Sequence, residues 1–160
     1  MRTRTAGLPF LFSALAVILL VGASANPAAA QTPASRCGDK DAEQALNLPD
    51  HYKSWGQAHQ IFTRFGQCDD GAVGEGFSEA IAQLFIHDWQ HVGTLVRLTG
   101  SDAGFKKFVL WHIDATLSED ELQAIVRNAR TRCPAEDKSF CRAVENNALA
   151  SLKELRSDSE

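Results

Sequence analysis

Apolar residues recur with a helical spacing along most of the chain, and the first clear stripe follows Pro49-Asp50. Its members stand three or four residues apart: Tyr52, Trp55, His59, Phe62 and Phe65. This spacing places the side chains on one face of an α-helix. Gly66 follows the stripe, in the C-terminal position that glycine favours. The pattern therefore predicts a helix that begins at Pro49-Asp50, buries an aromatic face and ends at Gly66.

The second stripe follows a turn at Cys68-Asp69-Asp70-Gly71. Its members are Phe77, Ile81, Leu84 and Phe85. One unbroken helix would place Asp88 within the apolar face, where an unpaired carboxylate is costly to bury. We therefore expect the helix to end near His87, and we expect Asp88 to cap a new helix, since aspartate is a preferred N-cap residue. The new helix would end at Gly100, and its apolar face would consist of Trp89, Val92, Leu95 and Val96.

The next two helices are predicted from their first residues. Ser101 or Asp102 begins one of them, with an apolar face formed by Phe105, Phe108, Val109 and His112. Ser118 has Glu121 three residues later, which is the pattern of a capping box. The helix that follows has its apolar positions at Leu122, Ile125, Val126 and Ala129. Pro134 is expected to end it, because proline cannot continue a helix.

A last helix is predicted to begin at Asp137 or Ser139. Its apolar positions include Phe140, Val144, Leu152 and Leu155. No segment has a convincing strand pattern, so we expect about six helices joined by short loops. The sequence thus predicts an all-α fold, either a small orthogonal bundle or a stack of helical hairpins. A single helical domain at 50–156 would lie between a loosely ordered arm at 31–49 and a frayed tail at 157–160.

The N-terminus has the three parts of a secretory signal peptide. Arg2 and Arg4 precede the apolar run Leu8–Val21, and Ala28-Ala29-Ala30 supplies the small residues of a cleavage site. The apolar run is shorter than the ~20 residues that span a bilayer as a helix. We therefore predict that residues 1–30 are a cleaved signal peptide and that the mature chain does not insert into a membrane.

Export leaves two expected locations for the mature protein. In a cell with two membranes it would be periplasmic, which we favour, and in a cell with one membrane it would be extracellular. Cleavage after Ala25 is the alternative to cleavage after Ala30. Both cleavage sites leave all four cysteines in the mature chain.

The cysteines stand at positions 37, 68, 133 and 141. An even number of cysteines in an exported chain predicts disulfide bonds. Of the three possible pairings we favour Cys133–Cys141, which closes a short loop between two predicted helices, together with Cys37–Cys68, which ties the arm to the end of the first helix. A four-cysteine metal site is disfavoured because the chain has no C-x-x-C pair.

The charge of the chain bears on its partners. The net charge is −4 at pH 7, and it becomes more negative when the signal peptide and its two arginines are removed. The chain lacks the basic footprint that nucleic-acid binding needs, so no nucleic-acid partner is expected. An acidic surface favours a basic partner instead.

His87 and His91 are the candidate metal ligands. Histidines four residues apart share a helical face and bind zinc when a third ligand is present. Here Asp88 follows the first histidine where the zinc-protease motif has glutamate, and no third ligand stands at a recognisable downstream spacing. The predicted helix break at Asp88 would also separate the two rings. The alternative is that one histidine lies on the surface and the other packs beside a tryptophan.

His112 and Asp114 are a second candidate pair, since a histidine beside a carboxylate performs general acid–base work. Residues two apart do not face each other on a helix, so we interpret His112 as a core histidine near a helix end. The glycines at 71, 74 and 76 lack the lysine and serine or threonine of a phosphate loop. We interpret them as a connector. No nucleophile elbow is present, and no catalytic set remains.

These patterns predict an exported, non-enzymatic helical protein that binds another exported or cell-envelope protein, as an inhibitor or immunity-type module. In size, export and helicity it is similar to small exported helical immunity proteins, which bind and block toxic cell-wall enzymes. One alternative is a zinc-binding or zinc-dependent domain built around His87 and His91; apart from that zinc, no cofactor is predicted. The other is a small-ligand carrier with an aromatic-lined cavity between helices.

Overall fold

The computed structural model describes residues 36–48 and 52–157 as helices and the short connections between them. The α-helices are α1 (Asp39–Leu46), α2 (Trp55–Phe65), α3 (Gly71–His87), α4 (Val92–Ser101), α5 (Ala103–Trp111), α6 (Glu119–Thr131) and α7 (Lys138–Ser157). Short 3₁₀ turns lie at Gly66–Cys68, Trp89–His91 and Ala135–Asp137. No strand occurs in these ranges, so the predicted all-α fold is confirmed. The predicted signal peptide at 1–30 and the last residues of the predicted tail lie outside the described residues.

Helix α3 is the central helix of the domain. Four of its residues have 0% relative exposure: Ala80, Ile81, Ala82 and Phe85. It packs against α1 and α6, while α6 and α7 pack along each other and α2, α4 and α5 form a second group. Small alanines let the neighbouring helices approach α3 closely, and the larger side chains fill the space between them. Across 36–48 and 52–157, no helix is long and apolar enough to cross a bilayer.

Helix α2 begins later than predicted. The Ser54 hydroxyl accepts a hydrogen bond from the Gln57 amide at 3.2 Å, so Ser54 is the N-cap and the helix starts at Trp55. The prediction of a start at Pro49-Asp50 was wrong, because Tyr52 is not helical and is buried from the segment that precedes the helix. Residues 49–51 themselves lie outside the described residues. Tyr52 is buried although it lies outside α2, and its position in the sequence therefore fitted one more turn of the helix.

Two other predicted helix starts are confirmed. The Asp102 carboxylate accepts a hydrogen bond from the Phe105 amide at 2.9 Å at the start of α5. Ser118 and Glu121 form the reciprocal capping box at the start of α6. Each carboxylate or hydroxyl pairs an amide that the first helical turn leaves without a partner.

The predicted helix break at Asp88 is confirmed, but its carboxylate has a different partner from the one expected. Helix α3 ends at His87, and Asp88 pairs with the Nδ1 atom of His91, 2.5 Å away, instead of capping a backbone amide. Asn128 of α6 donates side-chain hydrogen bonds to the carbonyl groups of Phe85 and Ile86 near the end of α3. Asn128 thus supplies hydrogen bonds to carbonyl groups that the last turn of α3 leaves without a backbone partner.

Both predicted disulfide bonds are present, Cys37–Cys68 and Cys133–Cys141. The arm that the first of them ties down is more ordered than predicted, because its residues Asp39–Leu46 form α1. Arg64 of α2 donates a hydrogen bond of 2.6 Å to Gln44 of α1. The prediction of a loosely ordered arm therefore missed a helix that the disulfide and a side-chain contact hold against α2.

Candidate functional site

Four polar side chains meet where the turn before α3 approaches the end of α5: Asp69, Ser78, His112 and Asp114. His112 is the C-cap residue of α5 and only 1% exposed, as predicted for a core histidine. Ser78 of α3 is equally buried. The two aspartates are partly exposed and connect this buried pair to the surface.

The hydrogen bonds of Ser78 fix the position of the proton on His112. The Ser78 hydroxyl lies 2.8 Å from the Asp114 carboxylate and 2.9 Å from the Nδ1 atom of His112. A serine hydroxyl has one proton, and it forms its stronger hydrogen bond with a charged acceptor. Ser78 therefore donates to Asp114 and accepts from the Nδ1–H group of His112. A neutral His112 ring consequently carries no proton on Nε2.

The Nε2 atom of His112 is one of two buried side-chain polar atoms without a hydrogen bond in the described part of the chain. It lies 3.3 Å from an Asp69 carboxylate oxygen, although the two atoms do not have hydrogen-bond geometry. When His112 is neutral, its Nε2 atom and the Asp69 oxygen are both hydrogen-bond acceptors. A pair of facing acceptors is satisfied by an added donor, either a proton or the N–H groups of a ligand.

The glycines near the start of α3 shape the turn that holds Asp69. Gly71 has a φ of +50°, a left-handed conformation that disfavours other residues. A Cβ atom on Gly74 would stand 3.0 Å from the Oδ1 atom of Asp69, so the absence of a side chain leaves room for the carboxylate. Cys68, disulfide-bonded to Cys37, directly precedes Asp69. The prediction of a connector at the glycines 71, 74 and 76 was wrong, because these residues form the first turns of α3. The turn before them holds the Asp69 carboxylate beside His112.

Two depressions adjoin this cluster. The acidic one has a volume of about 360 Å³ and is lined in part by Asp69, Asp70, Glu75, His112 and Asp114. The apolar one has a volume of about 340 Å³ and is lined in part by Phe62, Gly66, Gly104, Lys107 and Phe108. Asp69 and Trp111 line both depressions. We call the combined area the Trp111 face.

Trp111 is 68% exposed, more than any other large apolar side chain of the described residues. Trp111 lies outside the apolar stripe predicted for α5, whereas Trp55 and Trp89 were assigned to predicted apolar faces. The other two, Trp55 and Trp89, are almost fully buried. The end of α5 turns Trp111 outward because its neighbour His112 faces the core.

The environment of His112 controls its protonation. Burial lowers the pKa of His112 below its usual value, and the carboxylates of Asp69 and Asp114 oppose this effect only in part. The ring is therefore neutral at pH 7, and its Nε2 atom is an acceptor. Lys107 is the cationic residue on the neighbouring apolar depression.

Acid should destabilise the protein through His112. Because the pKa is lowered in the folded state, the unfolded chain binds a proton that the folded chain does not, and stability falls as the pH drops below about 6.5. The His112→Gln variant should lose this part of the pH dependence. Urea unfolding from pH 7.5 to 5.0 measures it. Equal slopes for the parent and the variant would contradict the assignment.

The cluster is not arranged for nucleophilic catalysis. Ser78 is 1% exposed, and its proton is directed at Asp114 instead of a histidine base. A serine nucleophile must instead reach its substrate and pass its proton to the base. The arrangement is suited to accepting hydrogen bonds from a cation, because two acceptors face each other beside further carboxylates.

The two histidines predicted to bind zinc do not share an α-helical face. His87 is the last residue of α3 and His91 ends the 3₁₀ turn, and both are exposed. His87 and Asp88 line a depression of about 420 Å³ that does not include His91. The described residues contain no group of three or more side chains placed to hold a metal ion. Zinc binding by this pair stays a prediction, and metal analysis of protein isolated without chelators would test it.

The aromatic side chains between α2, α3 and α5 pack directly against each other. Phe108 has ring-centroid distances of 4.9 Å to Phe62, 5.2 Å to Phe77 and 4.3 Å to His112. The His59 ring extends this cluster and pairs with Asp102 at 2.9 Å. The amide of Phe105 and the His59 ring lower the pKa of Asp102. The ligand-carrier alternative stays a prediction, and these rings occupy the space between the three helices.

Comparisons with known proteins gave no relative of this chain. No family model matches it, and neither the curated proteins nor the solved structures contain a significant match.

Proposed function

We propose that this protein is an exported, non-enzymatic module that binds a basic protein of the cell envelope through the Trp111 face, as an inhibitor or immunity-type protein does. The observation that carries the proposal is the 68% exposure of Trp111 beside an apolar depression. The alternatives are the zinc-binding domain and the small-ligand carrier described above.

An exposed tryptophan next to a depression is suited to protein binding. Tryptophan is enriched among the residues that dominate binding energy, because it brings a large apolar area at a small entropic cost. Phe62 and Phe108 supply apolar surface in the depression, and Gly66 and Gly104 keep it open. The described part of the chain has two other exposed large apolar residues, Leu46 and Leu149, and neither lines this depression.

The charge of the Trp111 face indicates the chemistry of the partner. Asp69, Asp70, Glu75 and Asp114 surround the acidic depression, and Lys107 is the cation at the apolar one. Complementary charge speeds association and selects partners, and salt screens it. The net charge of −4 for the whole chain has the same sign. A basic partner fits both the carboxylates of the acidic depression and the negative net charge.

Export is supported by the covalent chemistry of the domain. Both disulfide bonds are formed and no described cysteine is free, which is typical of proteins from oxidising compartments. The signal-peptide pattern in residues 1–30 agrees with this. The proposed location is the periplasm, with extracellular release as the alternative in a cell with one membrane.

The Trp111→Ala variant should lose partner binding without losing stability. Truncation of a central anchor weakens protein binding by about 30-fold or more, whereas surface changes alter unfolding by about 0.5 kcal/mol or less. Immobilised parent and variant proteins are compared for stoichiometric capture of a basic protein from the native exported fraction, with elution by rising salt. Thermal unfolding checks the fold of each variant.

Leu149→Ala is the matched control, because Leu149 is an exposed apolar residue of α7 that lines neither depression of the Trp111 face. The proposal expects capture by the parent and by Leu149→Ala, and its loss in Trp111→Ala. Equal capture by all three proteins, or no stoichiometric partner for the parent under several growth conditions, would overturn the proposal.

A further inference from the structure

We infer that the acidic depression beside Trp111 binds the guanidinium group of an arginine side chain, with His112 Nε2 and Asp69 Oδ2 as its paired acceptors. The inference rests on the proposed function in one respect, since the arginine is taken to belong to the partner protein. It adds the chemistry of the contact and the residues that make it.

The Nε2 nitrogen of His112 has no hydrogen-bond partner among the described residues. It is buried and faces the Asp69 carboxylate at 3.3 Å. The Ser78 hydroxyl orients the ring and keeps the proton on Nδ1. A guanidinium N–H donor that lies to one side of two acceptors 3.3 Å apart can approach each of them at normal hydrogen-bond length. Such a donor removes the unfavourable contact between the two acceptors.

The Asp69 side chain is held by fewer hydrogen bonds than that of Asp114. Asp114 is held by Ser78 at one oxygen and by the Thr116 amide at the other. The Asp69 carboxylate, by contrast, has only the contact to His112 among the described residues. Its side chain is 23% exposed. Binding therefore requires a rotation of the Asp69 side chain that exposes Nε2 and leaves the carboxylate facing the incoming cation.

Trp111 supplies an aromatic ring to the lining of the acidic depression. A guanidinium group is planar, carries five N–H donors and stacks on aromatic faces more readily than an ammonium group does. Trp111 lines the same depression as His112 and Asp69. The carboxylates of Asp70, Glu75 and Asp114 add negative potential around it. Planar stacking together with paired acceptors favours arginine over lysine.

The test uses N-acetyl-L-arginine amide with the purified mature protein. Its neutral control is N-acetyl-L-citrulline amide, which has the same shape without the charge. Binding is followed by NMR at pH 7.5 through the ring nitrogens of His112 and the indole signal of Trp111, which a Trp111→Phe variant assigns. We expect saturable shifts at both residues, and binding of the citrulline compound about tenfold weaker or more.

Three variants locate the binding. Asp69→Asn should weaken binding about tenfold, and Asp120→Asn, which removes the same charge from an exposed site on α6, should leave it within about twofold. Trp111→Ala should also weaken binding, read from His112. Because Trp111 is largely exposed, the Trp111→Ala variant tests the site even where Asp69→Asn impairs folding.

Acid should weaken binding of the arginine compound, because a protonated His112 presents a donor at Nε2 in place of an acceptor. The groups that set this response are Asp69, Asp70, Glu75 and Asp114 around the acidic depression and Lys107 beside it. The loss of affinity for the arginine compound between pH 7.5 and 5.0 should be larger in the parent than in the His112→Gln variant, whose side chain does not titrate.

The failures of the two proposals are distinguishable. Absence of saturable shifts in the parent, or equal affinity for the arginine and citrulline compounds, overturns the arginine site even if a partner is captured. Arginine binding that depends on Asp69, without any partner captured from the exported fraction, supports the site and overturns the protein-binding function. Where a partner is captured, the arginine compound should displace it, and the citrulline compound should not.

Discussion

Replacing Cys37 and Cys68 together by serine should lower the free energy of unfolding by about 3–4 kcal/mol. The two residues are 31 positions apart, and in the chain-entropy model the cost of losing a cross-link grows with the length of the loop it closes. The bond also fixes the residue before Asp69. The variant should therefore bind N-acetyl-L-arginine amide more weakly, even under conditions in which it remains folded.

The matched control is the double serine variant of Cys133 and Cys141, whose loop spans only 8 positions. This variant should lower the free energy of unfolding by about 2–3 kcal/mol. It should leave arginine binding unchanged, because the bond lies beside α6 and α7. Urea denaturation and the NMR titration measure both effects. If the two double variants lost arginine binding equally, the role of the first disulfide in holding Asp69 would be refuted.

Phe108→Ala should lower the free energy of unfolding by about 3–5 kcal/mol, as expected for truncation of a buried phenylalanine. Phe108 is 6% exposed and lies at the centre of the aromatic cluster. Its ring contacts Phe62, Phe77 and His112 at centroid distances of 5.2 Å or less. Truncation would leave a cavity that these close-packed rings fill only in part.

Phe108→Leu is the comparison for this effect, since it keeps most of the apolar volume and should cost considerably less. Chemical denaturation of both variants at pH 7.5 gives the two free energies. The His112 ring signals should shift in Phe108→Ala, because the ring loses its nearest aromatic neighbour. A cost below about 1 kcal/mol for Phe108→Ala would show that the cluster is not the close-packed core described above.

Much of the helical fold could be predicted because its signals are local. The apolar face of α3 and the capping box at Ser118 and Glu121 depend on neighbours within a few residues. Helix α1 was missed because Ala45 is its only buried residue and so forms no apolar stripe. Its first-turn acids, Asp39 and Asp41, favour a helix start, but without a stripe they also fit a polar loop.

The candidate site could be predicted only in part, because it is assembled from distant segments. His112 and Asp114 were recognised as a pair, but Ser78, which connects them, is more than thirty positions away in the chain. Asp69 comes from the turn before α3, where the sequence indicated only a connector. The exposure of Trp111 was missed because a tryptophan at a helix end fits a core position equally well.

The central claim, that the Trp111 face binds a basic partner, is tested most directly by photocrosslinking. The photoreactive residue p-benzoylphenylalanine replaces Lys107, an exposed residue of the apolar depression, in one protein and Leu149 in a second protein, so that Trp111 is retained in both. Each protein is irradiated with the native exported fraction. We predict one dominant adduct with a basic protein at position 107, reduced by N-acetyl-L-arginine amide, and no such adduct at position 149. Adducts of equal yield at both positions, or none at position 107, would contradict the claim.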